Sequence, residues 1–413
     1  MSELMIKGSK AKEAANKLAT VSTVQKNNAL LLCAKALVEK SDTIIAANKI
    51  DIDNAKAKGI TPAMLDRLTL TSERIGQIAE GIRQIVSLND PIGEIVEQTV
   101  RPNGLQIGAR RVPIGVIGVI YEARPNVTAD VAALTLKTSN AAILRGGSEA
   151  INSNKAMVEV INAAYKEAGL PEGTLQLIED TSRETAVEFM KLNDYLDVLI
   201  PRGGAGLIKT VVNNSTVPVI ETGVGNCHTY VDDSADINMA LDIAVNAKCS
   251  RPAVCNAMET LLVSSAVAEK FLPALAEKMS EYNVEIRGCE KVRKYISAVP
   301  ATDEDYATEF LDYKLAVKVV DGIDEAISHI TKYSTGHSEA IITNSYENSQ
   351  RFLNEINSAA VYVNASTRFT DGFEFGLGAE IGISTQKIHA RGPMGLKALT
   401  TIKYVIYGNG QIR

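Results

Sequence analysis

A cysteine in a loop-like stretch is the residue best suited to covalent chemistry in this sequence. Cys255 follows a proline-containing segment, lies four residues after Arg251 and precedes an apolar run. A nearby cation lowers the pKa of a thiol and favours the nucleophilic thiolate. A free cysteine is more often a small buried hydrophobic residue, and we expect this of Cys33, which lies in an apolar helix. Cys249 is predicted to end the preceding helix and Cys227 to begin a strand, so Cys255 is the candidate nucleophile.

Two glycine-rich turns have the composition of a phosphate-binding site. Residues 144–149 and 200–206 each follow an apolar run, contain an arginine and lead into a predicted helix. Backbone N–H groups at the start of a helix bind anions, and glycine lets a phosphate approach closely. An ordinary tight turn explains either segment equally well when it is taken alone. Two such turns on what we predict to be neighbouring strands favour a nucleotide, although the G-x-G-x-x-G pattern of standard dinucleotide-binding folds is missing.

The apolar runs between these residues predict an α/β fold with parallel sheets. Five near-continuous runs alternate with helical patterns, at 116–121, 141–145, 175–178, 196–200 and 217–220. Strands that are buried on both faces of a parallel sheet have this character. A second series of predicted strands follows at 228–231, 259–263, 316–320, 340–343 and 359–363. A chain of 413 residues is also long enough for two or three domains.

The segments outside these two series have a different character. Residues 8–90 are predicted to be helical, and the clearest helix begins after Thr71. The segment 94–112 contains Asn103-Gly104 between two β-prone stretches, which is the strongest short signal for a hairpin. A hairpin that stands between α/β segments must bury its apolar face, and packing against another subunit is one hypothesis. The chain ends in a further strand-like run at 401–408.

Composition argues against several classes of protein. The net charge of -6 and the absence of a long basic run disfavour DNA and anionic membranes as partners. The absence of Trp and an aromatic content of only 5% disfavour a surface that stacks nucleic-acid bases. Five cysteines without a C-x-x-C pair predict neither a disulfide framework nor a structural metal site. Because no signal peptide or membrane-spanning run is visible, we expect a soluble cytoplasmic protein.

Several of these segments resemble those of the aldehyde dehydrogenase superfamily, in the same order along the chain. The resemblance lies in the segments 112–130, 142–150, 218–232, 255–263 and 308–320. In detail, YEARPNVTAD, ETGVGNCHTYVD, SRPAVCNAMETLL and GLGAEIGISTQKIHARGPMGL are similar to segments of acyl-phosphate reductases of that superfamily. The similarity covers essentially the whole chain.

The resemblance implies a fold of three parts. These are a Rossmann-like cofactor domain (1–93 and 113–225, with part of 364–390), an α/β catalytic domain (226–363) and a small β oligomerisation element (94–112 and 391–413). The third part coincides with the hairpin and the final strand, so a homo-oligomer, dimer or tetramer, is expected.

The implied reaction is the NADPH-dependent reduction of L-glutamyl 5-phosphate to L-glutamate 5-semialdehyde and phosphate, the second step of proline biosynthesis. Cys255 would attack the acyl phosphate to form a thioester, which hydride then reduces. Asn126 matches the oxyanion asparagine of the family and would donate together with the backbone N–H of Cys255. The alternative for Asn126 is a helix N-cap, because a helical pattern follows it.

The resemblance also implies a set of cofactor-binding residues. Arg145 stands where the family usually has lysine, and a guanidinium suits the 2′-phosphate of NADP. Gly203 and Gly204 should approach the pyrophosphate. Glu309 matches the residue that holds the nicotinamide ribose, with a solvated loop carboxylate as the alternative. Glu221 matches the family's water-activating glutamate, but the residues after it depart from the pattern. A reductase should not activate water, so Glu221 is expected to position the cofactor or the thiol instead.

The substrate is anionic, and several cationic side chains could bind it. We favour Arg124, Arg251 and His228, whereas Arg368, Arg391 and His389 are further candidates. Surface solvation is the alternative for any single arginine.

Other functions remain open. A hydrolytic aldehyde dehydrogenase would share Cys255 and Asn126 but would need Glu221 as a base. A non-catalytic scaffold of the same fold is a second alternative, and reduction of another acyl phosphate is a third, ranked low because those enzymes carry different motifs. Since the chain starts at the reductase-like sequence, glutamate 5-kinase is expected to be a separate polypeptide. Contact with that kinase is a hypothesis, because glutamyl phosphate is labile.

Overall fold

A computed structural model describes residues 2–122 and 124–413, with all side chains in these ranges except those of residues 62 and 63. The chain forms two compact units. Unit 1 comprises Met1–Thr222, Gly376–Gly382 and Met394–Arg413, and unit 2 comprises Gly223–Phe375 and Ile383–Pro393. No helix in the described part of the chain is both long and apolar enough to cross a membrane.

Helices dominate the first part of unit 1, as the sequence predicts. They are α1 (Glu3–Leu18), α2 (Thr23–Glu39), α3 (Ser41–Ala57), α4 (Pro62–Leu68) and α5 (Ser72–Ser87). In α5 the Thr71 hydroxyl accepts the N–H of Arg74, which satisfies one of the free donors at the helix start. Ile75, Ile82 and Ile85 of this helix are buried on one face, so its amphipathic pattern is confirmed.

A parallel four-stranded sheet forms the centre of unit 1. Its strands are β3 (Val116–Tyr121), β4 (Ala141–Gly146), β5 (Leu175–Leu177) and β6 (Val198–Arg202), in the order β5-β4-β3-β6. The intervening helices are α6 (Asn126–Lys137), α7 (Ile151–Glu167), α8 (Arg183–Phe189) and α9 (Ala205–Asn214). All six residues of β3 are buried, because apolar side chains face helices on both sides. The predicted strand 217–220 contributes only an isolated bridge between Leu199 and Val219.

The strand order corrects one expectation about the glycine-rich turns. They follow β4 and β6, which are separated by β3 and are therefore not neighbours. From β3 the chain continues to β4 and β5 on one side of the sheet and then crosses to β6 on the other side, so the strand order reverses between β3 and β6. In open α/β sheets, ligands bind at the carboxyl ends of the strands next to such a reversal. The residue that follows β3 consequently lies between the two turns.

The predicted hairpin and the final strand form one small antiparallel sheet. Its strands are β1 (Ile95–Val100), β2 (Gln106–Pro113) and β16 (Thr400–Tyr407), in the order β1-β2-β16. The turn contains Gly104 with a φ of 87°, a conformation that favours glycine. Much of the sheet's apolar surface is exposed, and Val100, Tyr404 and Ile406 are each more than half exposed.

Unit 2 contains a parallel seven-stranded sheet. Its strands are β7 (Cys227–Val231), β8 (Met258–Ser264), β9 (Glu285–Gly288), β10 (Val299–Pro300), β11 (Lys314–Val320), β12 (Ser338–Ile342) and β13 (Ala360–Val363), in the order β10-β9-β11-β8-β7-β12-β13. Helices α10 (Ile237–Cys249), α11 (Ala268–Ser280), α12 (Asp303–Tyr306), α13 (Ile323–Tyr333) and α14 (Tyr346–Glu355) connect them, and β14 (Ile383–Ser384) pairs with β15 (Gly392–Pro393). The five predicted strands are confirmed. Strands β9 and β10 were missed because they are short and lack a long apolar run.

Candidate active site

The candidate nucleophile lies at the amino end of the seven-stranded sheet. Cys255 belongs to the loop 250–257 between α10 and β8, which we call the nucleophile loop, and its side chain is half-buried. The segments before β7 and β11, the two neighbours of β8, contain Gly225 and Glu309. Because the strands are parallel, these three segments meet at the same edge of the sheet.

The buried cysteines are poorly suited to nucleophilic chemistry. Burial raises the pKa of Cys33 to about 12 and that of Cys249 to about 11. The pKa of Cys227 is raised well above its ordinary value, first by burial and then by nearby acidic groups. A thiol with a raised pKa stays protonated and unreactive at neutral pH. The predicted distinction between these three residues and the more accessible Cys255 is therefore supported.

A glycine packs directly against the backbone of the nucleophile. A Cβ atom at Gly225 would lie 1.6 Å from the carbonyl oxygen and 2.6 Å from the Cα of Cys255. No side chain can be accommodated there without moving the nucleophile loop. Gly225, four residues after Glu221, thus has a structural role in this chain.

Replacement of Gly225 by Ala is expected to lower activity about a hundredfold, because even a small displacement of a reacting atom has effects of this size. Steady-state kinetics would measure the loss. Gly76→Ala is the matched control, since Gly76 lies in α5 and a Cβ atom there would meet no heavy atom within 4 Å, and it should leave activity unchanged. Wild-type activity in Gly225→Ala would contradict the packing described here.

Hydrogen bonds hold the nucleophile loop on both sides of the thiol. The Cys227 thiol donates to the carbonyl oxygen of Cys255 at 3.2 Å. The Thr367 hydroxyl donates to the carbonyl oxygen of Asn256 at 2.8 Å, and the Asn256 amide donates to the carbonyl oxygen of Thr370 at 3.0 Å. The peptides around Cys255 are thereby fixed. Sequence reasoning missed Cys227, Asn256 and Thr367 in this role, because each bond to the 367–370 segment joins residues more than a hundred positions apart.

Glu309 is joined to the same arrangement. Its Oε1 accepts the N–H of Gly225 at 2.8 Å. Burial raises the pKa of this carboxyl, and the Gly225 hydrogen bond opposes the shift. Leu311, two residues later, has a φ of 54°, and its N–H donates to Glu259 at 3.1 Å. The half-buried, hydrogen-bonded state of Glu309 argues against a solvated loop carboxylate.

The cationic candidates occupy different environments. Arg251 is exposed in the nucleophile loop, whereas Arg368 is half-buried and donates to the Asn256 side chain and to Ser250. Arg391 donates to the main chain and side chain of Asn357. Arg124 is exposed. His228 is fully buried, and its Nδ1 lies 3.1 Å from the carbonyl oxygen of Asn226. This burial argues against contact between His228 and a substrate and favours a structural role.

His228 belongs to a group of buried histidines. His329 packs against Tyr306 and Tyr333, with ring centroids 4.9 and 4.6 Å apart, and its Nε2 has no hydrogen-bond partner among the described residues. Burial lowers the pKa of His329 to about 3 and that of His337 to about 4, because it penalises the imidazolium cation. Both rings are therefore neutral in the folded protein at neutral pH.

The unfolding free energy is expected to fall on acidification. The folded pKa of His329 lies below its ordinary value of 6.5, so the stability it contributes is present above about pH 6.5 and is lost as the pH falls toward 3. Between pH 7 and pH 5 this loss is about 2 kcal/mol. His329→Phe should reduce the pH dependence by that amount in urea denaturation. Tyr333→Phe is the control and should keep the wild-type dependence. Equal pH dependence in His329→Phe and wild type would rule out this assignment.

The point of strand-order reversal in unit 1 already holds an anion. The carboxylate of Glu122, which follows β3, accepts the N–H of Gly204 at 3.0 Å at the start of α9. A Cβ at Gly203 would lie 2.7 Å from the same carboxylate oxygen, so a side chain there would displace the Glu122 carboxylate from its present position. The predicted phosphate-binding turn therefore has the donor and the space that an anion requires, and its residues fit a dinucleotide phosphate. Glu122 itself was not anticipated from the sequence.

Arg145 is held at the carboxyl end of β4. Its Nη2 donates to the carbonyl oxygens of Thr181 and Ser182 at 2.6 and 2.9 Å, whereas its buried Nε has no hydrogen-bond partner among the described residues. Burial lowers the pKa of Arg145, and the acidic side chains of Asp180 and Glu149 oppose this. The guanidinium thus has a structural function in addition to any role in cofactor binding.

The other two candidates in unit 1 are Asn126 and Glu221. Asn126 is the first residue of α6, and its side chain makes no cap; its Nδ2 donates to Asp130 at 3.0 Å instead. The N-cap alternative for Asn126 is therefore wrong, because Pro125 holds that position. Glu221 is half-buried next to the end of unit 1.

Fold and site together define the class of protein. A model of the aldehyde dehydrogenase family matches residues 6–293, and the chain belongs to that family. The predicted fold class is confirmed.

Closer relatives define the group within the family. Gamma-glutamyl phosphate reductase of Clostridium perfringens (strain SM101) is 65% identical over 412 residues, covering 100% of this chain and 99% of its own. That of Heliobacterium modesticaldum is 62% identical over 413 residues, with coverage of 100% and 99%. The crystal structure of gamma-glutamyl phosphate reductase from Thermotoga maritima is 50% identical, with a TM-score of 0.98 and full coverage of both chains. The chain thus belongs with the gamma-glutamyl phosphate reductases.

Proposed function

We propose that this protein reduces L-glutamyl 5-phosphate to L-glutamate 5-semialdehyde and phosphate, with NADPH as the reductant, in proline biosynthesis. The observation that carries the proposal is the nucleophile loop, in which Cys255 is half-buried and its backbone is held by Gly225 and Cys227. Full-length relatives at 62% and 65% identity that are named for this reaction support it.

The reaction needs a nucleophile and a leaving group. The Cys255 thiolate attacks the acyl carbon, the C–S bond forms, and the bond to the phosphoryl oxygen breaks with release of phosphate. When bound, a reduced nicotinamide would supply the hydride that reduces the thioester carbon. Collapse of the resulting hemithioacetal breaks the C–S bond, frees the aldehyde and restores Cys255.

An oxyanion forms during both halves of this reaction. The backbone N–H of Cys255 is one proposed donor, because the loop that carries it is fixed by Cys227 and Thr367. Asn126 is the second proposed donor on the strength of its family motif. Its side chain is exposed and bonded to Asp130 in unit 1.

The proposed cofactor contacts extend over several residues. Gly203 and Gly204 bind the pyrophosphate, a role supported by the carboxylate that Gly204 already binds. Arg145 contacts the 2′-phosphate of NADP, and Glu309 contacts the nicotinamide ribose. NADP rather than NAD is proposed from the guanidinium at position 145. An engineered glycolyl-CoA reductase of similar fold, at 15% identity and a TM-score of 0.71, has been solved with bound NADP+.

Glu221 is proposed to position the cofactor or the thiol rather than to activate water, because water would hydrolyse the thioester.

We also propose a homo-oligomer that buries the small antiparallel sheet, whose apolar residues Val100, Tyr404 and Ile406 are exposed in the single chain. Contact with a separate glutamate 5-kinase stays a further proposal.

The reverse reaction tests the proposed function. NADP reduction with glutamate 5-semialdehyde should require inorganic phosphate, because phosphate must discharge the Cys255 thioester. Steady-state assays with and without phosphate distinguish the outcomes. Turnover at an equal rate without phosphate would identify a hydrolytic dehydrogenase and return Glu221 to the role of base. Absence of any turnover would favour the alternative functions, which are a non-catalytic scaffold and the reduction of another acyl phosphate.

A further inference from the structure

The Arg368 guanidinium forms hydrogen bonds to residues near both ends of the nucleophile loop. Arg368 donates from Nη1 to the side chain of Asn256, the residue after Cys255, and from Nε to the Ser250 hydroxyl at 3.2 Å. A guanidinium has five N–H donors, and these two bonds use two of them. Arg368 is thereby held in a fixed orientation beside the reacting thiol.

A second guanidinium belongs to the residue next to one of these contacts, because Arg251 follows Ser250, whose hydroxyl accepts the Nε–H of Arg368. Burial lowers the pKa of Arg368, the positive charge of Arg251 lowers it further, and the Cys255 thiolate and Asp371 oppose the shift. Asp371 has a separate role, since its Oδ1 accepts the N–H of Phe373 at 2.9 Å. The like charges of Arg251 and Arg368 thus repel each other next to Cys255.

Within the described part of the chain, no carboxylate forms an ion pair with either of these two arginines. Ion pairs to carboxylates engage the arginines at positions 74, 83, 111, 287 and 351 instead. Two arginines of one loop region, one of them half-buried and held by hydrogen bonds, are the kind of group that binds a multiply charged anion.

We propose that Arg368 and Arg251 bind the phosphoryl group of the acyl-phosphate substrate and so place its acyl carbon at Cys255. This inference rests on the proposed function and identifies the residues that give it specificity for phosphate. As the C–S bond forms, the electron pair of the breaking C–O bond moves onto the phosphoryl oxygen. The two guanidinium groups stabilise that charge without a proton transfer. In the reverse direction they bind inorganic phosphate for attack on the thioester.

Phosphate kinetics in the reverse reaction test the assignment. The variants are Arg368→Gln, Arg368→Lys and Arg251→Gln, and the matched control is Arg293→Gln, which removes one exposed arginine elsewhere in unit 2. We expect the KM for phosphate to rise roughly tenfold to a hundredfold in Arg368→Gln and about tenfold in Arg251→Gln, as for loss of one charge-assisted contact. Arg368→Lys should recover part of the loss because it restores the charge. The KM values for semialdehyde and NADP should change less than about twofold, since they reflect other contacts.

The arms of this experiment separate the two proposals. A wild-type enzyme that turns over without phosphate would overturn the proposed function itself. A phosphate-dependent wild type, with variants that keep its phosphate KM and lose only kcat, would overturn the arginine assignment and leave a merely structural role. Arg251→Gln keeps the test decisive if Arg368→Gln does not fold, because the Arg251 side chain is exposed.

Discussion

Replacement of Cys255 by Ala is expected to abolish NADP reduction, with a fall in kcat of roughly 10⁴-fold or more, as when other nucleophiles are removed. No other thiol in the described part of the chain is placed to substitute for it. Cys33, Cys227 and Cys249 are buried, and the pKa of each is raised by that burial. Without the thiol, neither the thioester nor its reduction is available. Steady-state assays in the reverse direction would measure the loss.

Cys289→Ala is the matched control for this change. Cys289 is also half-buried, but it follows β9 and therefore lies at the carboxyl end of the sheet. The nucleophile loop lies at the amino end. The control should therefore keep wild-type activity. Near-normal activity in Cys255→Ala, or a loss in Cys289→Ala of similar size, would show that the nucleophile has been misassigned.

The largest expected effect on stability comes from the buried pair Lys248–Glu259. Both side chains are fully buried, with Nζ and Oε2 2.5 Å apart. Burial raises the pKa of Glu259 to about 7 and lowers that of Lys248, so both shifts reflect the cost of buried charge. Lys248→Met would leave the carboxyl group buried without its partner. Loss of one member of such a pair costs about 3–5 kcal/mol of unfolding free energy.

Urea denaturation would measure that change. The double variant Lys248→Met with Glu259→Leu should recover most of the lost stability, because no charge remains buried. Lys278→Met is the surface control, since Lys278 and Glu281 form an exposed pair, and little change is expected there. If Lys248→Met were as stable as the surface control, the pair would have no role in folding. Because Glu259 also accepts the N–H of Leu311, we expect the segment of Glu309 to loosen in Lys248→Met.

Much of the fold could be predicted from local patterns. The run 116–121 is apolar because both faces of its strand are covered, and the structure confirms it as β3. Asn103-Gly104 marked the hairpin because the turn between Val100 and Gln106 contains Gly104 in a conformation that favours glycine. The order of the strands in the sheet could not be predicted in the same way. It depends on packing between distant segments, and the two glycine-rich turns are consequently separated by β3.

The candidate site could be predicted only in part. Cys255 was identified from its segment, since a nucleophile leaves a local signature. Contacts made by Gly225 and Thr367 join segments far apart in sequence, and no spacing rule reveals them. His228 illustrates the opposite error: a histidine next to a motif suggests substrate binding, yet strand β7 buries it completely. Burial of a single side chain is decided by the whole sheet.

The most direct test of the central claim is the amount of NADPH formed in the first turnover without phosphate. Enzyme mixed with NADP and glutamate 5-semialdehyde should produce one NADPH per active site and then stop, with the acyl group on Cys255 by peptide mass spectrometry. Added phosphate should restart turnover and remove the label. Continuous NADPH formation without phosphate, or an acyl group on a different residue, would contradict the phosphate-dependent thioester mechanism proposed for this protein.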